Sequence, residues 1–333
     1  MERRAHRRQE RHGSDPRRPS LGSAVVSTNA PLGVYLGWHV HPWEDLVELV
    51  LLAEELGYDA AFVDGDISLL GRRTDVDCLD GWTVTTTLLA RTSRIQIGSL
   101  RLVHHWNAAR LAQAVATAHR LAPGRLRFQI AIGDRQEDVR FGLERLSTLD
   151  RVAWLDESLD AIRALWRGES VTRKGRFVQL EQARVRPAPG ALPITVAARR
   201  PRMLEVVARH ADLWEINLPP IPARLDRAVA RLTQACEAIG RDPEELGRSL
   251  LLFTRLGDNP IAQLGAFRRL NPWFQSIPDN EIVPALIVGD APHCRQRIAE
   301  LREAFALTLP VLDLSGLKAE LARHLLENLA PDK

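Results

Sequence analysis

A chain of 333 residues, 45% hydrophobic and 26% charged, can bury a large core unaided, and this ordinary composition excludes collagen-like, disordered and disulfide-scaffold classes. The net charge of +3 is unevenly spread: residues 1–20 hold seven arginines against Glu2, Glu10 and Asp15, so the rest of the chain is close to neutral. The basic balance therefore belongs to a terminal segment, and neither a nucleic-acid partner nor a membrane is expected for the remainder.

Residues 1–24 read as a disordered basic tail and 25–333 as one domain. Arg17-Arg18 has the form of a twin-arginine signal, but no apolar segment follows it, so export is not expected. No apolar run reaches about 18 residues, the length of a membrane span. Cys78, Cys236 and Cys294 lack metal-like spacing and fit reduced thiols in a cytoplasmic protein.

From residue 33 onward, short apolar runs alternate with helical patterns, the signature of a parallel sheet. A first strand is expected at 33–38, and a helix at 43–56 stopped by Gly57. The second strand follows at 59–63 and a helix at 79–90. The third strand is placed at 94–100, a helix at 108–121, the fourth strand at 125–132 and a helix at 155–166. Residues 169–190 break the rhythm with a small hairpin. The fifth strand is expected at 194–197, the sixth at 212–216, the seventh at 249–253 and the eighth at 307–312, with helices at 203–209, 224–239, 293–305 and 317–329. Residues 258–290 read as an insertion. This rhythm predicts a (β/α)8 TIM barrel with insertions after strands 4 and 7. A doubly wound sheet would want a glycine-rich turn after strand 1, and Trp38-His-Val-His-Pro-Trp43 has none.

In such a barrel the chemistry sits at the C-terminal ends of the strands. Strand 1 ends in Trp38, His39 and His41, and strand 2 in Asp64, Gly65 and Asp66. Beyond strand 3 come His104 and His105, which read as a polar and aromatic pocket wall. Gly133 and Asp134 follow strand 4. Strand 5 runs through Ala197 and Ala198 into Arg199, Arg200 and Pro201. Glu215 and Asn217 end strand 6, and Asp313 ends strand 8. On composition alone Arg199 and Arg200 are solvated loop charges. The alternative is a phosphate site, because free backbone N–H groups at a helix start and two guanidinium groups suit an anion. Asp66 and Asp134 could share acid and base roles, or cap helices. His39-Val-His41 with Asp313 has the look of part of a hydrolase metal site. That site also needs histidines after strands 5 and 6, where none stands, so no metal is expected.

Several stretches, in order, make the chain resemble the bacterial-luciferase-like superfamily over most of residues 31–329. They are Ala53-Glu-Glu-Leu-Gly-Tyr-Asp-Ala-Ala-Phe-Val63, Thr92-Ser-Arg-Ile-Gln-Ile-Gly98, the Leu-Ala-Pro-Gly-Arg ending at Arg125, Leu165-Trp-Arg-Gly-Glu169, Pro193-Ile-Thr-Val-Ala-Ala198 with Pro201-Arg-Met-Leu204, and Leu286-Ile-Val-Gly289. The resemblance implies a barrel oxidoreductase that uses FMN or the deazaflavin coenzyme F420. The stretch from Val196 to Leu204 is closer to the F420-dependent branch. By resemblance, Ala197, Ala198, Arg199 and Arg200 would hold the cofactor phosphate, with Gly133 nearby. Ser99 and Leu100 would support the ring, at a place where a bulge or unusual peptide is common. Asp134, Asp66 and His39 become the catalytic candidates, and Trp38, His41, His104, His105 and Asn217 the substrate-pocket candidates. The chain departs from the pattern at Gly65-Asp66, where an acid and a histidine are frequent, and at Arg200, where a glycine is usual. It also departs at Ala108, where proline is common, and in the reduced run Gln129-Ile-Ala-Ile-Gly133. The expected activity is F420H2-dependent reduction of an organic small molecule or peptide. The alternatives are FMN-dependent monooxygenation, a metal-dependent hydrolase and a non-catalytic barrel. A homodimer is one open assembly.

Overall fold

The structure is a computed structural model that describes residues 30–37, 41–65, 78–133, 139 and 141–331. Its first half runs β1 (Gly33–Leu36), α1 (Trp43–Leu56), β2 (Ala60–Val63), α2 (Gly81–Arg91), β3 (Gln96–Leu102), α3 (Ala108–Leu121), β4 (Leu126–Ala131) and α4 (Thr148–Trp166). A hairpin of β5 (Val171–Lys174) and β6 (Gln179–Ala183) follows. The second half runs β7 (Ile194–Ala198), α5 (Pro201–His210), β8 (Leu213–Ile216), α6 (Pro222–Glu237), β9 (Gly247–Leu256), α7 (Pro260–Leu270), α8 (Asp279–Ile282), β10 (Ile287–Gly289), α9 (Ala291–Phe305), β11 (Leu309–Asp313) and α10 (Ala319–Asn328).

β1, β2, β3, β4, β7, β8, β9 and β11 pair in that order, and β11 pairs back with β1, so parallel strands close a barrel. Local chemistry sets the elements. The apolar face of α1 buries Leu46, Val47, Leu49, Val50 and Ala53, and Gly57 ends the helix in the left-handed conformation. Asp80 caps α2 by accepting from the Thr83 N–H at 2.8 Å. Asn107 caps α3 by accepting from Ala109 and Arg110, so that helix starts cleanly without a proline. Trp166 ties α4 inward: its ring meets Phe128 edge-on and its Nε1 donates to the Ala112 carbonyl at 3.0 Å.

One expectation is corrected. The α4 helix begins at Thr148, well before residue 155, because Ser147 accepts from the Asp150 N–H and starts it early. The hairpin follows α4 at the expected place, and Glu157 of α4 anchors it by accepting from the N–H groups of Arg176, Phe177 and Val178. The segment 258–290 has secondary structure of its own. The first part of β9 pairs with β8, and its end, Thr254 to Leu256, pairs with β10 instead. This segment buries Phe267, Phe274, Ile282 and Ala285 against Phe253, and so adds an apolar wall above the barrel. Among the described residues, no helix is long and apolar enough to cross a membrane.

Candidate active site

A cavity of about 460 Å³ opens at the C-terminal ends of the strands, a volume within the usual range for small-molecule sites. Leu100, Gly133, Ala197, Ala198, Arg199, Arg200 and Asn217, all named from the sequence, line it. Trp38, His39, Asp66, Asp134 and the tail lie outside the described residues.

The loop after β7 is the electropositive side. Ala197 and Ala198 are buried and line this side of the cavity. Arg200 occupies the N-cap position of α5 with an extended backbone and no capping side-chain bond, and Pro201 takes the first helical place. The first turn therefore offers backbone donors and the positive end of the helix dipole toward the cavity. Arg199 donates to Asn217 Oδ1 at 2.9 Å, and its guanidinium lies over the Phe274 ring. Arg200 is exposed on the same rim. This donor set fits a phosphate, and the small side chains of Ala131, Ala197 and Ala198 leave room for a planar ring beside Leu100.

Ser99 is placed differently from its expectation. Successive strand residues point to opposite faces, and with Leu100 turned into the cavity Ser99 faces outward. It is buried against α2, bonded to Thr85 Oγ1 at 2.5 Å, to the Gly81 carbonyl at 3.1 Å and by Arg101 at 2.8 Å. No bulge occurs here: β3 keeps unbroken register with β4 from Ile97 to Leu102. The departure at Gly65 also has a steric cause. A Cβ on Gly65 would fall 1.6 Å from the Leu100 carbonyl oxygen, so the end of β2 rests directly on the β3 backbone.

His104 and His105 do not line the cavity. β3 continues to Leu102, two residues past its expected end, and a tight turn at 103–105 carries both rings to the outer side of the rim. There they line a separate pocket of about 270 Å³ with Trp106, Trp154 and Phe177. Gly133 separates the two spaces. It sits at φ +64° with the His104 ring behind it, and Arg151 holds it by donating to the carbonyls of Ile132 and Gly133. His41 is 5% exposed and lines neither space.

The cavity also exposes groups that were not chosen as site residues. Tyr35 donates to Asp64 Oδ1 at the ends of β1 and β2. Asp313 accepts from the N–H and hydroxyl of Ser315. Burial raises its pKa against the opposing charge of Arg255, and Asp64 adds to the rise. Glu215 points inward from β8 and accepts from Ser249 Oγ at 2.5 Å. Burial pushes its carboxyl up to about 7, against the lowering effect of that hydrogen bond. A lone polar residue in an otherwise apolar strand is the available signal for Tyr35, Glu215 and Asp313, and Gln129 alternates with Arg127 in β4.

The model of the luciferase-like monooxygenase family matches residues 21–275. The chain belongs to this family. A phthiodiolone/phenolphthiodiolone dimycocerosates ketoreductase of Mycobacterium tuberculosis is 32% identical over 236 residues, covering 68% of this chain and 58% of the relative. An F420-dependent glucose-6-phosphate dehydrogenase of Kineococcus radiotolerans is 28% identical over 223 residues, covering 66% of each. The matches thus span roughly three fifths to two thirds of these relatives' lengths. An F420-dependent secondary alcohol dehydrogenase, solved with an F420-acetone adduct, shares the fold at a TM-score of 0.76 and 17% identity, covering 90% of this chain and 99% of that one.

Proposed function

We propose that this protein is an F420-dependent oxidoreductase that interconverts an apolar carbonyl compound and its alcohol. The observation that carries the reading is the joining of two features in one cavity. Arg199, Arg200 and the uncapped start of α5 form an anion site on one rim. An apolar wall of Leu218, Pro219, Phe253, Leu270, Trp273 and Phe274 lines the same cavity. Relatives named as F420-dependent favour the deazaflavin over FMN, and a relative named as a ketoreductase favours a carbonyl substrate.

Bound in this cavity, a reduced deazaflavin supplies a hydride. The chain's own residues would do the rest. Arg199, Arg200 and the first turn of α5 would bind the phosphate, Leu100 and the alanines would orient the ring, and the apolar wall would exclude water from the reacting face. The family's name keeps oxygenation by reduced FMN as the second reading. The test is to mix the protein with reduced F420 and acetophenone under anaerobic conditions and follow the return of the oxidised deazaflavin absorbance. Return of the absorbance with stoichiometric 1-phenylethanol supports the reading. No reaction with F420, together with oxygen-dependent product from reduced FMN, overturns it.

A further inference from the structure

The geometry points to Glu215, backed by Ser249, as the group that holds the substrate's oxygen and exchanges a proton with it. The inference rests on the carbonyl reading above. Three observations carry it. Glu215 projects inward from β8 and lines the same cavity as the apolar wall. Among the described residues Ser249 donates to its Oε2 at 2.5 Å, and Oε1 takes no part in that bond. Of the other described carboxyls of the cavity, Asp64 accepts from Tyr35, and Asp313 accepts twice from Ser315 on Oδ1 and is held toward its charged form by Arg255.

A carboxyl with one oxygen anchored, in a largely apolar cavity, suits a single oxygen on a hydrophobic substrate. When protonated, it donates to a carbonyl oxygen. In reduction, the carbonyl carbon gains a hydride, the C–O π electrons move to oxygen, and that oxygen takes the Glu215 proton. Glu215 is left as a carboxylate that accepts from Ser249, and solvent restores its proton. Oxidation of the alcohol runs these steps in reverse.

The charged and titratable groups around the cavity bear on the test. Asp64 and Tyr35 stand at the ends of β2 and β1, Asp313 on β11, and Arg151 on α4. Arg199 and Arg200 lie at the start of α5, and Cys78 precedes α2. Burial raises the Glu215 pKa, and the Ser249 hydrogen bond opposes that rise.

The experiment measures the affinity of the full chain for acetophenone alone, by calorimetry from pH 5 to 9. The ketone should bind well while Glu215 is protonated, and lose about tenfold in affinity per pH unit above a pKa of about 7. Glu215→Gln should bind at all these pH values with the low-pH affinity, since its amide still donates. Ser249→Ala should move the inflection to higher pH, because it removes the bond that favours the carboxylate. In turnover, Glu215→Gln should lower kcat and leave KM nearly unchanged. A wild-type pH profile retained in Glu215→Gln overturns the inference, and so does an unmoved inflection in Ser249→Ala. The ketone titration uses no cofactor, so failure of F420 to bind would defeat the proposed function and leave this test standing.

Discussion

Replacing Glu215 by glutamine should change how stability depends on pH. Burial raises the Glu215 carboxyl from its usual 4.5 to about 7. Between those values the folded chain keeps a proton that the unfolded chain gives up. The protonated group's favourable contribution is therefore complete below about pH 4.5 and is lost as pH rises through 7. At about 1.4 kcal/mol per pKa unit, the gap corresponds to roughly 3 kcal/mol. That figure is an upper bound, because water in the open cavity reaches the carboxyl. Glutamine keeps the shape and can still accept from Ser249, but it never ionises. Urea unfolding of both proteins at pH 5, 6, 7 and 8 gives the difference directly. Glu215→Gln should gain on the wild type as pH rises, by up to about 3 kcal/mol at pH 8. Asp313 titrates in both proteins and largely cancels in the comparison. A difference that stays flat across this range would refute the placement of a high-pKa carboxyl at Glu215.

Gly65→Ala should lower the melting temperature, because its Cβ would fall 1.6 Å from the Leu100 carbonyl oxygen and the β2 end must move. A loss of about 1–3 kcal/mol is expected in denaturant titration, and an unchanged midpoint would contradict the close approach. Removing the Arg199 guanidinium should weaken F420 binding about ten- to a hundredfold, the range for one charge-assisted contact of roughly 1.5–3 kcal/mol. Turnover at saturating cofactor should fall less, which steady-state kinetics reads as a rise in apparent KM for F420. Phe274→Ala should weaken acetophenone binding and spare F420 affinity less completely than a distant change, since Phe274 faces the cavity and also lies under Arg199. Calorimetry with each ligand separates the two effects.

The barrel was legible because its strands and helices alternate at clear spacing. Helix-start residues also mark boundaries, as Pro201 does at the first position of α5. Facing was harder to read. Barrel strands are largely apolar on both sides, so the inward and outward positions do not separate by hydrophobicity, and of the expected pair Ser99 and Leu100 it is Leu100 that lines the cavity. Length errors had the same consequence at His104 and His105, where two extra residues of β3 and a turn put both rings outside the rim. The pairings Tyr35–Asp64 and Glu215–Ser249 join neighbouring strands, β1 with β2 and β8 with β9, and depend on a register between them that strand spacing alone does not give. The aromatic wall was hidden because 258–290 carries Pro and Asn in a segment whose helix and short strand are held by packing on Phe253.

The central claim is that this cavity binds a deazaflavin through the arginine rim. Its most direct test is equilibrium titration of the wild type, Arg199→Ala and Arg200→Gly with F420 and with FMN, read by cofactor fluorescence. The account predicts saturable, one-to-one binding of F420 by the wild type, tighter than that of FMN and weakened in both variants. No binding of F420 by the wild type, or tighter binding once Arg200 is replaced by glycine, would contradict it: in the second case Arg200 itself fills the phosphate position and closes the site.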